Sequence, residues 1–388
     1  MKIAAFFFDT FLIKDKEKYY GMTLTYDFFS KKYLKYYDRI IVSTRYKKKE
    51  NEHGNISGYK QTNGKNVIVL PIRNYKKIPD TFLKKKEIEK EVKDILAQVD
   101  LAIIRMPSVI GNIACELCRK LGIKYKIEMV ACPLDGYWNH QSWVGKIVAP
   151  YMFYETRKNI KKAPEVLYVT KHFLQNRYPT KGLSYACSDV EFPSQDKEQF
   201  GQRLRKYNSL EKGNTINIYT VANVGLKHKG HKYVIDAIKK NNLAKDAYFT
   251  YKYYLIGNGS NYILKKYAKK NRIEDNIVFL GSMPHDVIFT ELQNADLYVQ
   301  PSLMEGLSRS VIEAMSLGLP ALVSRVGGNP ELVDSQMVFK KKSVRQLCSK
   351  LKKMDSRNLV YYAQQNFINA KRYTEENLIK IRDKFYLG

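Results

Sequence analysis

The sequence predicts an α/β protein of two domains, each built on a parallel sheet with helices packed against it. Three observations carry this expectation. Short apolar runs recur without polar alternation, helix-patterned stretches separate them, and the whole pattern restarts after a polar stretch at residues 194–212. Strands of a parallel sheet read as continuous apolar runs because both their faces are covered. Strand–helix alternation implies βαβ crossovers. A chain of 388 residues exceeds one ordinary core and suits two.

In order along the first half, strands are expected at residues 3–8, 39–43, 67–70, 101–104, 125–130 and 166–170, with helices at 22–36, 82–98, 110–121 and 145–161. In the second half, strands are expected at 216–221, 247–256, 277–280, 297–300, 321–324 and 336–339, with helices at 233–240, 262–271, 286–294 and 310–317. The boundaries this implies are a first domain at 1–190, a linker at 191–212, a second domain at 213–370 and a closing helix at 371–388. Two such domains would face each other across a central cleft. Ligands in doubly wound sheets sit at the carboxyl ends of the strands.

Composition narrows the function classes. The net charge is +29, a field that favours polyanions such as nucleic acid, an anionic membrane or a phosphorylated substrate. The charge is spread: residues 1–190 hold 35 Lys and Arg against 19 Asp and Glu, and residues 191–388 hold 32 against 19. An even spread weakens the reading of a basic nucleic-acid-binding protein with a dedicated arm, and no zinc spacing or RNA-binding signature accompanies it. Five cysteines in so long a chain fit a reducing compartment. Cys115 and Cys118 form a Cys-x-x-Cys pair inside an amphipathic helical pattern, where buried cysteines are the plainer reading than a metal or redox pair. The apolar start, Ile3 to Phe8, is too short for a signal peptide, and no window reaches a membrane span. The expected location is cytoplasmic, peripheral on the inner face of the membrane.

The chemistry concentrates in residues 301–320. The strand at 297–300 ends, Glu305 and Gly306 open a loop, a helix begins near Ser310, and Gly318 and Pro320 stop it. A loop feeding a helix N-terminus suits a diphosphate, because free amides and the helix dipole point at it. Glu313 one turn inside could accept two hydrogen bonds from a ribose diol. The same Ser310-x-x-Glu313 spacing also fits a capping box, in which Glu313 merely satisfies the helix end. Three more polar or glycine turns follow strands of this domain: Lys227 to Lys232, Gly257 to Ser260, and Gly327 to Glu331 with Asn329 as a cap and Pro330 opening the helix. Lysines in such a turn neutralise phosphate as point charges.

In this order, Lys229-Gly230, Gly257-x-Gly259, Phe279-x-Gly281, Pro301-Ser302, Glu305-Gly306, then Glu313-Ala314-Met315-x-x-Gly318-x-Pro320 and Gly327-Gly328-x-Pro330-Glu331 resemble the donor domain of family 4 glycosyltransferases of the GT-B fold, over roughly residues 216–335. The resemblance implies a retaining, metal-independent transfer of sugar from a nucleotide-diphosphate sugar, UDP-linked. It implies that Glu313 holds the donor ribose, Glu305 lies against the donor sugar, and Lys229 neutralises the diphosphate. The amides of Gly306, Leu307 and Ser308 would contact sugar and phosphates, with Gly257 and Ser282 completing the donor set. The family often has an Arg six residues before the Lys. Here Asn223 stands there, and Arg309 is the expected replacement charge.

The first domain resembles the family less. Its loop from Cys132 to His140 carries Asp135, Trp138, Asn139 and His140 after the strand at 125–130, where an acceptor sugar could stack on Trp and bond the polar groups. Asp135 and His140 therefore join Glu305 in the expected catalytic set, with Arg105 as an alternative group for an acceptor phosphate. This stretch resembles transferases of bacterial surface polysaccharides: capsule, exopolysaccharide or O-antigen. The acceptor expected is a saccharide, lipid-linked, and nucleic acid is not expected as a partner. Residues 31–37 and 82–88 mix cations with apolar side chains at helical spacing, which suits either an anionic membrane surface or a solvated face.

Overall fold

The computed structural model describes residues 1–49, 58–74, 84–139, 143–244 and 246–388. The chain divides into two units. Unit 1 comprises Met1–Val169, Phe173–Cys187 and Ile381–Gly388, and unit 2 comprises Thr170–His172 and Ser188–Lys380.

Unit 1 is built on a parallel sheet. Strands β1 (Ile3–Asp15), β3 (Arg39–Lys48), β5 (Val67–Val69), β6 (Leu101–Met106), β7 (Lys124–Met129), β8 (Glu165–Tyr168) and β9 (Leu183–Ala186) pair in the order β5-β3-β1-β6-β7-β8-β9, each neighbour parallel. Strand β1 runs further than its apolar core. After a register irregularity between Phe7 and Phe11 it continues into an antiparallel hairpin with β2 (Lys18–Gly21), which pairs in turn with β4 (Lys60–Gln61). The longer strand arises because Lys16 adopts a positive φ of 52° and closes a tight turn, a conformation that hairpins require.

Alternate residues of β1 serve opposite layers. Phe6 meets Phe28, Phe29 and Tyr33 around helix α1 (Tyr26–Lys32), with ring centroids 5.2–6.2 Å apart. Ala5 and Phe7 join the core made by helices α2 (Lys85–Leu96) and α3 (Val109–Leu121). Helix α1 is shorter than the 22–36 expected, since Thr25 caps it by accepting from the Phe28 amide at 3.2 Å. Residues 82 and 83 of the second predicted helix lie outside the described residues. The tyrosines expected on a membrane face at 31–37 turn inward: Tyr33, Tyr36 and Tyr37 are buried. Tyr386, in helix α14 (Glu375–Leu387), packs on all three with centroids at 5.7, 4.8 and 6.4 Å. Cys115 and Cys118 are buried in α3, and burial pushes the Cys118 thiol up to about 12.

Unit 2 holds a six-stranded, wholly parallel sheet in the order β12-β11-β10-β13-β14-β15. Its strands are β10 (Thr215–Val221), β11 (Thr250–Ile256), β12 (Ile277–Gly281), β13 (Leu297–Gln300), β14 (Ala321–Ser324) and β15 (Val338–Phe339). Read in chain order this is 3-2-1-4-5-6, the doubly wound arrangement whose order reverses between β10 and β13. The segment expected as a linker at 191–212 is instead part of this unit, because most of it forms helix α7 (Lys197–Asn208). Its Arg203 is nearly buried and donates to Leu317 O at 2.9 Å and Ala295 O at 2.5 Å. Phe200 stacks on Phe367 at 4.0 Å. A helix that satisfies buried carbonyls is anchored, whatever its polar composition.

Candidate active site

The strand order reverses between β10 and β13, the place where doubly wound sheets bind their ligands, and the loops leaving these two strands are tied together there. Leu303 N donates to His228 O at 2.7 Å. Gly230 has a φ of 77°, and a Cβ on it would lie 2.1 Å from Pro301 O, so only glycine permits this approach. The loop after β13 is closed from the other side by the loop after β14. Gly328 N donates to Gly306 O at 2.6 Å, and a Cβ on Gly327 would lie 2.1 Å from Glu305 O.

Within this frame Glu305 meets Lys229. The ammonium lies 2.7 Å from Glu305 Oε1, and Ser302 Oγ donates to the same oxygen at 2.7 Å. Gln300, the last residue of β13, donates to Ser302 Oγ at 2.9 Å while its own carbonyl accepts from Tyr298 OH at 2.9 Å. Both Gln300 and Ser302 are buried. This chain of donors fixes the Glu305 carboxylate, which in turn holds the Lys229 ammonium.

Helix α11 (Arg309–Ser316) starts from Ser308, whose side chain makes no capping bond, and no acid occupies its first turn. The capping-box alternative is therefore overturned. Ser310 Oγ lies 3.2 Å from Ser308 Oγ, and Glu313 Oε1 lies 3.2 Å from His285 Nε2. Glu313 is nearly buried while the side chain of its partner His285 is 57% exposed. The hydrogen bond to Glu313 raises the His285 pKa, and the nearby Arg309 charge opposes that rise. The first amides of α11 carry no side-chain cap, and Arg309 stands at its first position, as an anion at a helix N-terminus would require.

Asn223, at the position where Arg is common in the family, is locked into the scaffold. Its amide donates to Asn258 Oδ1 at 2.6 Å and its Oδ1 accepts from Gly225 N at 2.9 Å. Its carbonyl lies 3.2 Å from Nε2 of His231, a buried imidazole whose pKa burial pushes down to about 4. Gly257 N donates to Gly281 O at 2.8 Å, joining the ends of β11 and β12. Ser282 follows β12 and is exposed, in the loop that leads to His285. Gly306 and Leu307 are half-buried and Ser308 is buried at the head of α11.

In unit 1, Asp135 sits on the short helix α4 (Pro133–Trp138), 3.1 Å from Arg177, and Asn139 Nδ2 donates to the Asp135 carbonyl. Trp138 is exposed. His140 lies outside the described residues. Arg105 is drawn inward: it lies 2.6 Å from Glu128, which also takes Lys32 at 3.2 Å, Tyr33 OH at 2.8 Å and Tyr386 OH. Arg105 thus shares one buried carboxylate with Lys32 inside unit 1. His285 and Gln300 escaped the sequence reading. The signal for both was a polar residue at the carboxyl end of a strand: Gln300 ends an apolar run, and His285 follows Gly281 by four.

Comparison with known proteins accords with this geometry. Residues 203–372 match the family model described as glycosyl transferases group 1. Protein CapJ of Staphylococcus aureus is 31% identical over 382 residues, covering 97% of this chain and 92% of CapJ. Among solved structures, sucrose-phosphate synthase from Thermosynechococcus elongatus superposes with a TM-score of 0.68 at 12% identity, covering 100% of this chain and 98% of that one. The Anabaena protein HepE in complex with UDP gives 0.61 at 17% identity, covering 99% and 98%. With a relative matched along nearly its whole length and a parallel-sheet architecture to fit, the chain belongs to the group 1 glycosyl transferases of the GT-B fold.

Proposed function

We propose that the protein transfers a sugar from UDP to a lipid-linked saccharide, with retention of anomeric configuration, during assembly of a bacterial surface polysaccharide at the inner face of the membrane. The observation that carries the donor assignment is Glu313, nearly buried, uncommitted to capping and 3.2 Å from the exposed His285. In this reading Glu313 accepts hydrogen bonds from both ribose hydroxyls, and His285 orients the carboxylate. Lys229, Arg309 and the amides of Gly306, Leu307 and Ser308 offset the diphosphate charge, the part a metal plays elsewhere. Gly257 and Ser282 border the nucleotide. Glu305 holds the Lys229 ammonium and lines the donor sugar.

In the transfer, the bond between the anomeric carbon and the leaving phosphate oxygen breaks as the acceptor oxygen bonds to that carbon on the same face. The acceptor's proton passes to the departing phosphate oxygen, so the step balances without an enzyme nucleophile. On the acceptor side, Asp135, held by Arg177, and His140 supply the polar contacts. The complex of HepE with UDP supports the choice of base, since that protein shares the fold.

Thermal unfolding of the full chain against UDP, GDP and ADP in EDTA tests the donor site. At a hundredfold excess over Kd a native-state ligand adds about 2.7 kcal/mol, worth several degrees for domains of this size. Stabilisation by UDP alone, lost in Glu313→Ala, is the expected outcome. A protein that stays folded but responds to no nucleotide would refute the assignment.

A further inference from the structure

Helix α5 (Trp143–Lys161) buries Gly145, Ala149, Met152, Thr156, Asn159 and Ile160 against unit 1. A surface helix normally turns a polar face to the other side, whereas this one presents large apolar side chains there, flanked by cations. Trp143 is 72% exposed, Ile147 65% and Tyr154 65%, and Pro150 is exposed between them. At about 100° per residue these four fall within an arc of about 60°. The other exposed residues on or near that arc are Tyr151, Lys146, Arg157 and Lys161. The helix has a single acid, Glu155, half-buried and 3.5 Å from Lys158.

Singly exposed apolar residues are ordinary, but a contiguous stripe of them marks a contact surface. Two features choose the contact. Every exposed charge along the stripe is positive, on a chain of net charge +29, which complements anionic lipid. The apolar residues include Trp and Tyr, side chains that favour the water–hydrocarbon boundary. A helix of 19 residues lying flat presents about 28 Å of such surface.

We propose that this face of α5 is the surface on which the protein lies against an anionic bilayer. Trp143, Ile147 and Tyr154 enter the headgroup region, and Lys146, Arg157 and Lys161 meet lipid phosphates. The proposal deepens the lipid-linked acceptor reading and rests on it for choosing a bilayer over a protein surface. It also moves the membrane face away from residues 31–37, whose tyrosines are buried.

The chain's two tryptophans, Trp138 and Trp143, are both exposed and lie at or just before this helix, so intrinsic fluorescence reports on it directly. Full-length protein is titrated with vesicles of phosphatidylglycerol and phosphatidylcholine, and with phosphatidylcholine alone. The expected result is a blue shift with the anionic vesicles, and quenching by lipids brominated near the headgroup. Charge reversal at Lys146, Arg157 and Lys161 should weaken co-sedimentation by roughly a hundredfold or more. The triple change Trp143→Ser, Ile147→Ser and Tyr154→Ser should abolish it. Both variants should keep the UDP-induced thermal shift, which separates this surface from the donor site. Wild-type protein that responds to UDP but binds no anionic vesicle would overturn the proposal, as would variants that bind vesicles unchanged. Self-association lost in the apolar variant, without vesicle binding, would assign the face to a second copy and overturn it equally.

Discussion

Gly327 and Gly213 offer a controlled test of how the candidate site is held. Both have positive φ, 53° and 94°, so alanine at either costs roughly 1–2 kcal/mol in backbone energy. They differ in surroundings. A Cβ at Gly213 meets nothing within 4 Å, whereas one at Gly327 would lie 2.1 Å from Glu305 O and 2.7 Å from Gly306 O. Both atoms are backbone, so relief requires the loop carrying Glu305 to move by about an ångström, and overpacking of this kind adds about 1–3 kcal/mol. The expected loss is about 1–2 kcal/mol for Gly213→Ala and about 2–5 kcal/mol for Gly327→Ala. Denaturant unfolding measures both, and thermal shifts with UDP read the site. Gly213→Ala should keep the full UDP response; Gly327→Ala should lose most of it even under conditions where it is folded. Equal destabilisation with equal UDP response would refute the reasoning, since the loop contact would then have no consequence.

Three further expectations follow from charges in the fold. Glu128→Ala leaves Lys32 and Arg105 facing each other without their carboxylate, and should cost about 3–5 kcal/mol in unfolding free energy. His231 is buried neutral with its pKa lowered to about 4 from 6.5. The unfolded state therefore binds the proton first, and stability falls as pH drops from about 7 to 4. His231→Gln should lessen that fall by roughly 3 kcal/mol in denaturant titrations at the two pH values. His285 has the opposite sign, its pKa raised chiefly by the bond to Glu313. Its contribution is fully present below 6.5 and lost as pH rises through the folded value. His285→Asn should thus lower the melting temperature more at pH 5.5 than at pH 8.5, by a small amount because the imidazole is largely solvated.

What the sequence determined by itself was local and periodic. Largely apolar runs located most of the buried strands of both sheets, because a strand covered on both faces has little polar side to show; β7 is the exception, its Lys126 and Glu128 being buried in ion pairs. Glycine and proline punctuation located the turns at their carboxyl ends, and the spacing of Glu305 and Glu313 with Lys229 upstream carried the family resemblance. At 31–37 the sequence left a membrane face and a solvated face open, because cations and aromatics at helical spacing look alike wherever the rings face; Tyr386, some 350 residues away, turned the rings inward by packing on Tyr33, Tyr36 and Tyr37. The polar stretch at 191–212 read as a linker because the helix within it is anchored by a few residues, Phe200, Arg203 and Tyr207, whose partners Phe367, Ala295, Leu317 and Asp296 are remote in sequence.

The role of Glu313 shows the same division. Ser310-x-x-Glu313 is compatible with a cap or with a ligand-binding carboxylate, and no local pattern separates them. Only the tertiary structure brings His285 from the end of β12 to Glu313, and Gln300 and Ser302 to the Glu305–Lys229 pair. Periodicity reports which face of an element is buried, a property of neighbours three or four residues apart. Which distant group a carboxylate meets depends on strand order and crossover, here the reversal between β10 and β13, and that order emerges only when the whole sheet is assembled.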